Sequence, residues 1–264
     1  MNLENICSEV CILAKEVGEF IINERKSNHN INVETKGLHD FVTYVDKTSE
    51  QKLVNGLMHI LPEAGFIAEE GTSTKKGEKY NWIIDPLDGT TNFIHGISPF
   101  AISIALSSKE HIILGVIFEI SLKECFYAWK DGGAYLNGDK IKVSDKKEIK
   151  DSLIATGFPY YDYERLQPFM LSLEHFMKNS HGVRRLGSAA TDLAYVACGR
   201  FEAFYEYSLN PWDVAAGACI VEQAGGKVSD FSGKNNYIYG KEIIASNNAC
   251  FNEFFNIVNQ HMSK

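Results

Sequence analysis

The chain has 264 residues, 45% of them hydrophobic and 23% charged, enough to bury a large core as one large domain or two closely fused ones. Twenty-six Lys and Arg stand against 34 Asp and Glu, a net charge of -8, with no basic block longer than two residues, so nucleic acid is not an expected partner. The opening stretch "MNLENICSEVCILAKEVGEF" has Glu4, Glu9, Lys15 and Glu16 scattered through it and lacks the apolar run of a signal peptide or membrane span, so a cytoplasmic protein with no membrane partner is expected.

Residues 3–24 place Ile6, Val10, Leu13, Ala14, Val17, Phe20 and Ile21 at helical spacing, which predicts an amphipathic helix. A second helix is expected over about 46–60. Between them, "KSNHNINVETKGLHDFVTYVD" alternates polar and β-branched residues around Gly37, the pattern of an exposed hairpin or a mobile, lid-like loop. From 65 to 138 the text turns to strands: "GFIAEE", "NWIID", "FAISIALSS", "IILGVIFEI" and "ECFYAWKDGGAYLNG". That order predicts a large, mostly antiparallel sheet. The second half alternates: a strand at 153–158, a helix over about 162–178, a strand near 183, the helix "SAATDLAYVACG", the strand "FEAFYEY", the helix "WDVAAGACIVEQAG", strands near 227 and 243, and a last helix over about 248–261. Sheets with helices on their faces predict a layered α/β sandwich, read here as one continuous unit with subdomains of about 1–150 and 151–264. Cys7, Cys11, Cys125, Cys198, Cys219 and Cys250 show no C-x-x-C or zinc-finger spacing and read mostly as small core residues.

The segment "NWIIDPLDGTTNF", residues 81–93, drives an apolar strand into two carboxylates. Pro86 removes a ladder donor and Gly89 permits a turn, so Asp85 and Asp88 are expected at the strand's C-terminal end, a place where α/β proteins often hold ligands. The "GTTNF" that follows suits the first turn of a helix, whose free N–H groups favour phosphate. Two more acidic sites recur in similar surroundings: Glu69 and Glu70 end the strand "FIAEEG", and Asp213 opens a helix soon after a strand ending near Glu206. Each has a plain alternative: Asp85 and Asp88 as turn and cap residues, Glu69 as a solvated strand end, Asp213 as a helix N-terminal acid. Crowded together, such carboxylates would raise one another's pKa unless a divalent cation held them, and an all-oxygen set suits Mg²⁺ or Mn²⁺ rather than zinc.

"WIIDPLDGTTNF" together with "WDVAAGACIVEQAGG" resembles the two signature motifs of the inositol monophosphatase family, Mg²⁺-dependent and lithium-sensitive sugar phosphatases. "DFVTYVD", "FIAEEG", "LIATGFPY" and "LGSAATDLAYVACGRFEAFYEY" extend the likeness over nearly the whole chain. The resemblance implies an αβαβα sandwich with a large, mostly antiparallel N-terminal sheet and a smaller mixed one. It implies two to three Mg²⁺ ions, replaceable by Mn²⁺ and opposed by Ca²⁺ or Li⁺. Glu69, Asp85 and the Leu87 carbonyl would hold the first ion. Asp85 would bridge to a second shared with Asp88 and Asp213, and Glu69 would help a third. Thr90 would pair with Asp46 to orient the attacking water, and the amides of Gly89 and Thr90 would hold phosphate. Asp88, Ser188, Ala189 and Glu206 would contact the polyol, and Lys36 sits where the family's mobile loop carries a lysine. A homodimer is implied as well, although the aromatic strand residues Phe204, Tyr205 and Tyr207 equally suit a core.

The activity expected is hydrolysis of a small polyol or sugar phosphate, inositol 1-phosphate foremost, by an activated water without a covalent intermediate. No G-x-S-x-G elbow or C-x₅-R loop is present, and His95 reads as a packing or turn residue. Rival readings are a fructose-1,6-bisphosphatase, for which Arg184 and Arg185 could meet a second phosphate, and a metal-dependent binding protein without catalysis.

Overall fold

The computed structural model describes residues 1–27, 33–37, 40–109, 111–159 and 162–262, with the backbone alone for 33–37 and 40–42. Helix α1 (Leu3–Ser27) is followed by a hairpin of β1 (Val33–Gly37) and β2 (Asp40–Thr43), then by α2 (Tyr44–Ile60). Helix α2 starts two residues earlier than its periodicity suggests because Thr43 caps it: the Thr43 amide donates to Asp46 Oδ2 at 2.8 Å, and Val45 N–H donates to Thr43 Oγ1 at 3.1 Å.

Next come β3 (Gly65–Ala68), β4 (Tyr80–Asp88), the short helix α3 (Thr90–His95), β5 (Ala101–Ser108), β6 (His111–Glu119), β7 (Glu124–Trp129), β8 (Gly133–Leu136) and β9 (Asp139–Ile141). Among the described residues these strands pair in chain order as one seven-stranded sheet, parallel only between β3 and β4. Strand β9 carries no alternating pattern and is placed by its pairing with β8. Pro86 does not end β4. The β4–β5 ladder runs to Asp85 opposite Ser103, slips, and resumes at Asp88 opposite Ala101, so the strand bulges at the position that lacks an N–H and carries both aspartates to one end.

The second half supplies β10 (Leu153–Thr156), α4 (Leu166–Asn179), β11 (Gly182–Arg184), α5 (Ala189–Ala197), β12 (Ala203–Tyr207), α6 (Pro211–Gln223), β13 (Lys227–Ser229), β14 (Glu242–Ser246) and α7 (Phe251–Met262). Its strands form a mixed sheet in the order β11-β10-β12-β14-β13. The layers alternate helix, sheet, helix, sheet, helix. One core lies between α1, α2 and the large sheet; a second surrounds α5 and α6 between the sheets; a third joins the small sheet to α4 and α7. The alanine-rich faces of α5 and α6 allow the sandwiched layer to touch both sheets closely. Phe204, Tyr205 and Tyr207 belong to these cores. The cysteines are free, five buried and Cys198 half-buried.

Candidate active site

The ends of three elements meet over the middle layer: the end of β4 with its turn into α3, the start of α5, and the start of α6. Gly89 links β4 to α3 with φ +87°, a left-handed conformation that glycine adopts without strain, and a Cβ there would stand 3.0 Å from the Pro99 carbonyl oxygen. Asn92 braces the turn by donating to the carbonyls of Pro99 and Leu186, each at 2.8 Å. On α6, the Asp213 carboxylate accepts from Asn210 N–H at 2.7 Å, and Ser103 of β5 donates to Trp212 O at 3.0 Å, tying the helix start to the large sheet.

The result is a cavity of about 260 Å³ lined by Glu69, Asp85, Leu87, Asp88, Gly89, Thr90, Gly157, Phe158, Arg185, Ser188, Ala189, Asp192, Glu206, Trp212 and Asp213, among others. Carboxylate oxygens of Asp85, Asp88 and Asp213 all lie within 4.8 Å of one another. Burial lifts the Asp85 carboxyl well above its usual range, and the charges of Glu69, Asp88 and Asp213 push it further; Leu87 N–H, donating to Asp85 Oδ1 at 2.8 Å, offsets part of this. Asp213 is raised by burial and by Asp88. Burial takes Asp88 up to about 6 despite Ser188 Oγ and Ala190 N–H, which donate to its Oδ2 at 2.6 and 2.8 Å. Mutually repelling, all-oxygen donors at this spacing fit a hard divalent cation, which would relieve the repulsion.

Beside the trio, Thr90 Oγ1 lies 3.1 Å from Asp46 Oδ1 and 2.9 Å from the Leu87 carbonyl oxygen, both acceptors for its one proton. Asp46 is buried, which raises its pKa, while the bonds from Thr43 and Thr90 favour its charged form. Facing the trio, Glu206 of β12 is buried, pushed up to about 8 by burial and by Asp88, and held down by Arg185. Gly157 makes room for it, since a Cβ there would stand 2.0 Å from the Glu206 carboxyl carbon.

Arg184 and Arg185 part company. Arg185 lines the cavity with its guanidinium 5.5 Å from the Phe158 ring centroid, whereas Arg184 is exposed and donates to the Val183 carbonyl. His95 closes α3 at the surface and does not line the cavity. Lys36 lies in β1, and its side chain is outside the described residues. Asp192, Gly157 and Phe158 were not among the sequence candidates. Asp192 had a signal: it is the one charged residue in the α5 segment "AATDLAYVA", and it is buried at the cavity wall. Gly157 had none, because only a partner remote in the chain makes its missing Cβ necessary.

A layered sandwich with buried acids gathered at the strand and helix ends over its middle layer presents a site for a hard divalent cation on an α/β scaffold. The model of the inositol monophosphatase family matches residues 2–263, and the chain belongs to that family. It is 39% identical over 254 residues to a Nus factor SuhB of Pseudomonas aeruginosa, covering 94% of each chain. Over 248 residues it is 37% identical to a fructose-1,6-bisphosphatase/inositol-1-monophosphatase of Thermotoga maritima, covering 94% of this chain and 93% of that one. The solved extragenic suppressor protein suhB of Bartonella henselae superposes with a TM-score of 0.92 at 35% identity, over 99% of this chain and 100% of that chain. Among the described residues no helix is long and apolar enough to cross a membrane.

Proposed function

We propose that the chain hydrolyses the phosphate monoester of a small polyol, inositol 1-phosphate foremost, with Mg²⁺ as its cation. The observation that carries this reading is the meeting of Asp85, Asp88 and Asp213 from β4 and α6 within 4.8 Å, opposite a buried carboxylate that faces the same cavity. In this reading Glu69, Asp85 and the Leu87 carbonyl hold one ion, Asp85, Asp88 and Asp213 a second, and Glu69 helps a third. When bound, such cations make a water nucleophilic near neutral pH and neutralise charge on the leaving oxygen.

The chain's own groups do the rest. Asp46, fixed by Thr43, holds the Thr90 hydroxyl in place to orient the attacking water. The amides of Gly89 and Thr90 receive the phosphate. Glu206, with Asp88, Ser188 and Ala189, accepts or donates to polyol hydroxyls, and Lys36 acts from the hairpin. The division near residue 150 has a role here. The large sheet ends at Ile141 and the small one starts at Leu153, so the first subdomain brings Glu69, Asp85 and Asp88, and the second brings Glu206 and Asp213. A homodimer is the state expected from the family resemblance.

A bisphosphatase is the second reading, favoured by the name of the Thermotoga relative. Against it, Arg185 lines the cavity but Arg184 is exposed and donates to the Val183 carbonyl, so a second phosphate would meet one guanidinium rather than two. Phosphate release from inositol 1-phosphate and from fructose 1,6-bisphosphate, with and without Mg²⁺, separates the two. Release only with Mg²⁺ and faster from the monophosphate is expected. The absence of release from any small phosphate with Mg²⁺ or Mn²⁺ would leave a non-catalytic binding protein and end this reading.

A further inference from the structure

Glu50, on α2 one turn after Asp46, is buried with 0% exposure and is used by nothing described so far. Its two carboxylate oxygens gather three neutral donors from one short loop. Glu70 N–H donates to Oε2 at 2.7 Å, and Thr72 N–H and Thr72 Oγ1 each donate to Oε1 at 2.8 Å. Sinking a carboxylate into a protein is costly unless its lone pairs are filled, and apolar packing would anchor a surface loop at less cost. What a carboxylate adds is direction, because it draws several N–H groups to fixed positions around two oxygens.

The loop it grips follows directly on Glu69. On the other side, Glu69 N–H donates to the Ile84 carbonyl oxygen at 3.2 Å, extending the parallel β3–β4 ladder to the residue before Asp85. Both peptide planes flanking the Glu69 Cα are therefore tied, one to β4 and the other to Glu50, which sets the direction in which the Glu69 side chain leaves the backbone. We propose that Glu50 is a positioning residue for Glu69: its grip on residues 70–72 sets where the Glu69 carboxylate stands relative to Asp85, and so sets the affinity of the site for a divalent cation. Helix α2 then serves the site twice, through Asp46 to Thr90 and through Glu50 to Glu69.

The inference rests on the metal-holding part of the proposed function, and its test reads binding rather than turnover. Mn²⁺ is titrated into the full-length protein and the free ion is followed by electron paramagnetic resonance. Glu50→Gln keeps shape and size but cannot accept at both ends. It should weaken Mn²⁺ binding about 10-fold or more, the scale of losing a group that orients a ligand. Thr72→Ala leaves every charge in place and removes one hydroxyl donor from an exposed residue, so about a threefold loss is expected, with Thr72→Ser restoring wild-type binding.

Wild-type affinity in folded Glu50→Gln overturns the proposal. So does weakened binding in Glu50→Gln with no change in Thr72→Ala, since that pattern reports only a lost negative charge. Should Glu50→Gln not fold, the Thr72→Ala and Thr72→Ser pair decides by itself. If the wild-type protein binds Mn²⁺ but releases no phosphate, the phosphatase reading fails while the affinity comparison stands.

Discussion

The two walls of the cavity are both lined with buried carboxylates, yet they solve the problem of buried charge differently. On the wall built by β4 and the start of α6, Asp85, Asp88 and Asp213 lie within 4.8 Å and raise one another, relieved mainly by neutral donors. On the wall built by β12 and α5, the guanidinium of Arg185 opposes both Glu206 and Asp192. The first wall calls for an added cation; on the second, burial biases both carboxyls toward their neutral forms beside one guanidinium, a setting suited to neutral hydroxyls. Substrate phosphate and substrate polyol would divide between them.

The sharpest way to break this comparison is Asp88→Asn, which removes one charge of the trio. Phosphate release should fall on the order of 10²–10³-fold. In a thermal melt, Mg²⁺ at 100 times its Kd should no longer add the roughly 2.7 kcal/mol that one site gives the wild type. A variant that keeps both would show that the trio is not the cation wall.

Thr90→Ala leaves all carboxylates in place. It should fold and bind Mg²⁺ like the wild type while turnover drops about 10²-fold, the lower end of what a positioned proton-handling group contributes. An unchanged rate would remove the water-orienting role from the Thr90–Asp46 pair.

On the opposite wall, Gly157→Ala drives a methyl group into the Glu206 carboxylate. Overpacking of this kind destabilises by about 1–3 kcal/mol, and the displaced acid should raise KM more than it lowers kcat. A lowered kcat with an unchanged KM would instead place Glu206 with the metal wall.

The smallest effect is a slope. The Glu206 carboxyl, at about 8 in the folded protein, holds its proton more tightly than in the unfolded chain, where it titrates near its ordinary value of 4.5. Its contribution to stability is therefore complete below about pH 4.5 and is lost as pH rises through about 8. The metal-free melting temperature should fall across that window, and Glu206→Gln should flatten the fall without abolishing it, since Asp85 and Asp213 are raised in the same sense. An equally steep fall in Glu206→Gln would show that Glu206 keeps its ordinary carboxylate pKa and is ionised in the folded protein.

Much of the architecture was legible because its signals are local. Apolar spacing marked α1, runs rich in Ile, Phe and Ala broken by Gly, Ser, Asn and Lys marked β5 to β8, and the motif letters around Asp85 and Asp213 marked both ends of the site. Boundaries shifted where a side chain acted across a few residues, as when Thr43 and Asp46 capped α2 early, or where a bulge let β4 run on through Pro86. Strand β9 was not legible because three half-polar residues carry no period, and neighbouring β8 alone makes them a strand. Arg184 and Arg185 could not be told apart in the text. Only the packing of β11 and the following turn sends one to solvent and the other to Phe158.

Most of the elements, the acids that end several of them and the family the motifs resemble could be read from the chain alone, because periodicity, turn chemistry and motif spacing depend on near neighbours. Which acids meet was left to the packing of the layers. Thr90 reaches Asp46 across 44 residues and Ser188 reaches Asp88 across 100, contacts that exist once sheet register and layer packing have brought distant segments to the same wall. The room that Gly157 leaves for Glu206 and the hold of Glu50 on the chain after Glu69 have the same origin: they are distances between segments, and no local pattern of residues encodes a distance of that kind.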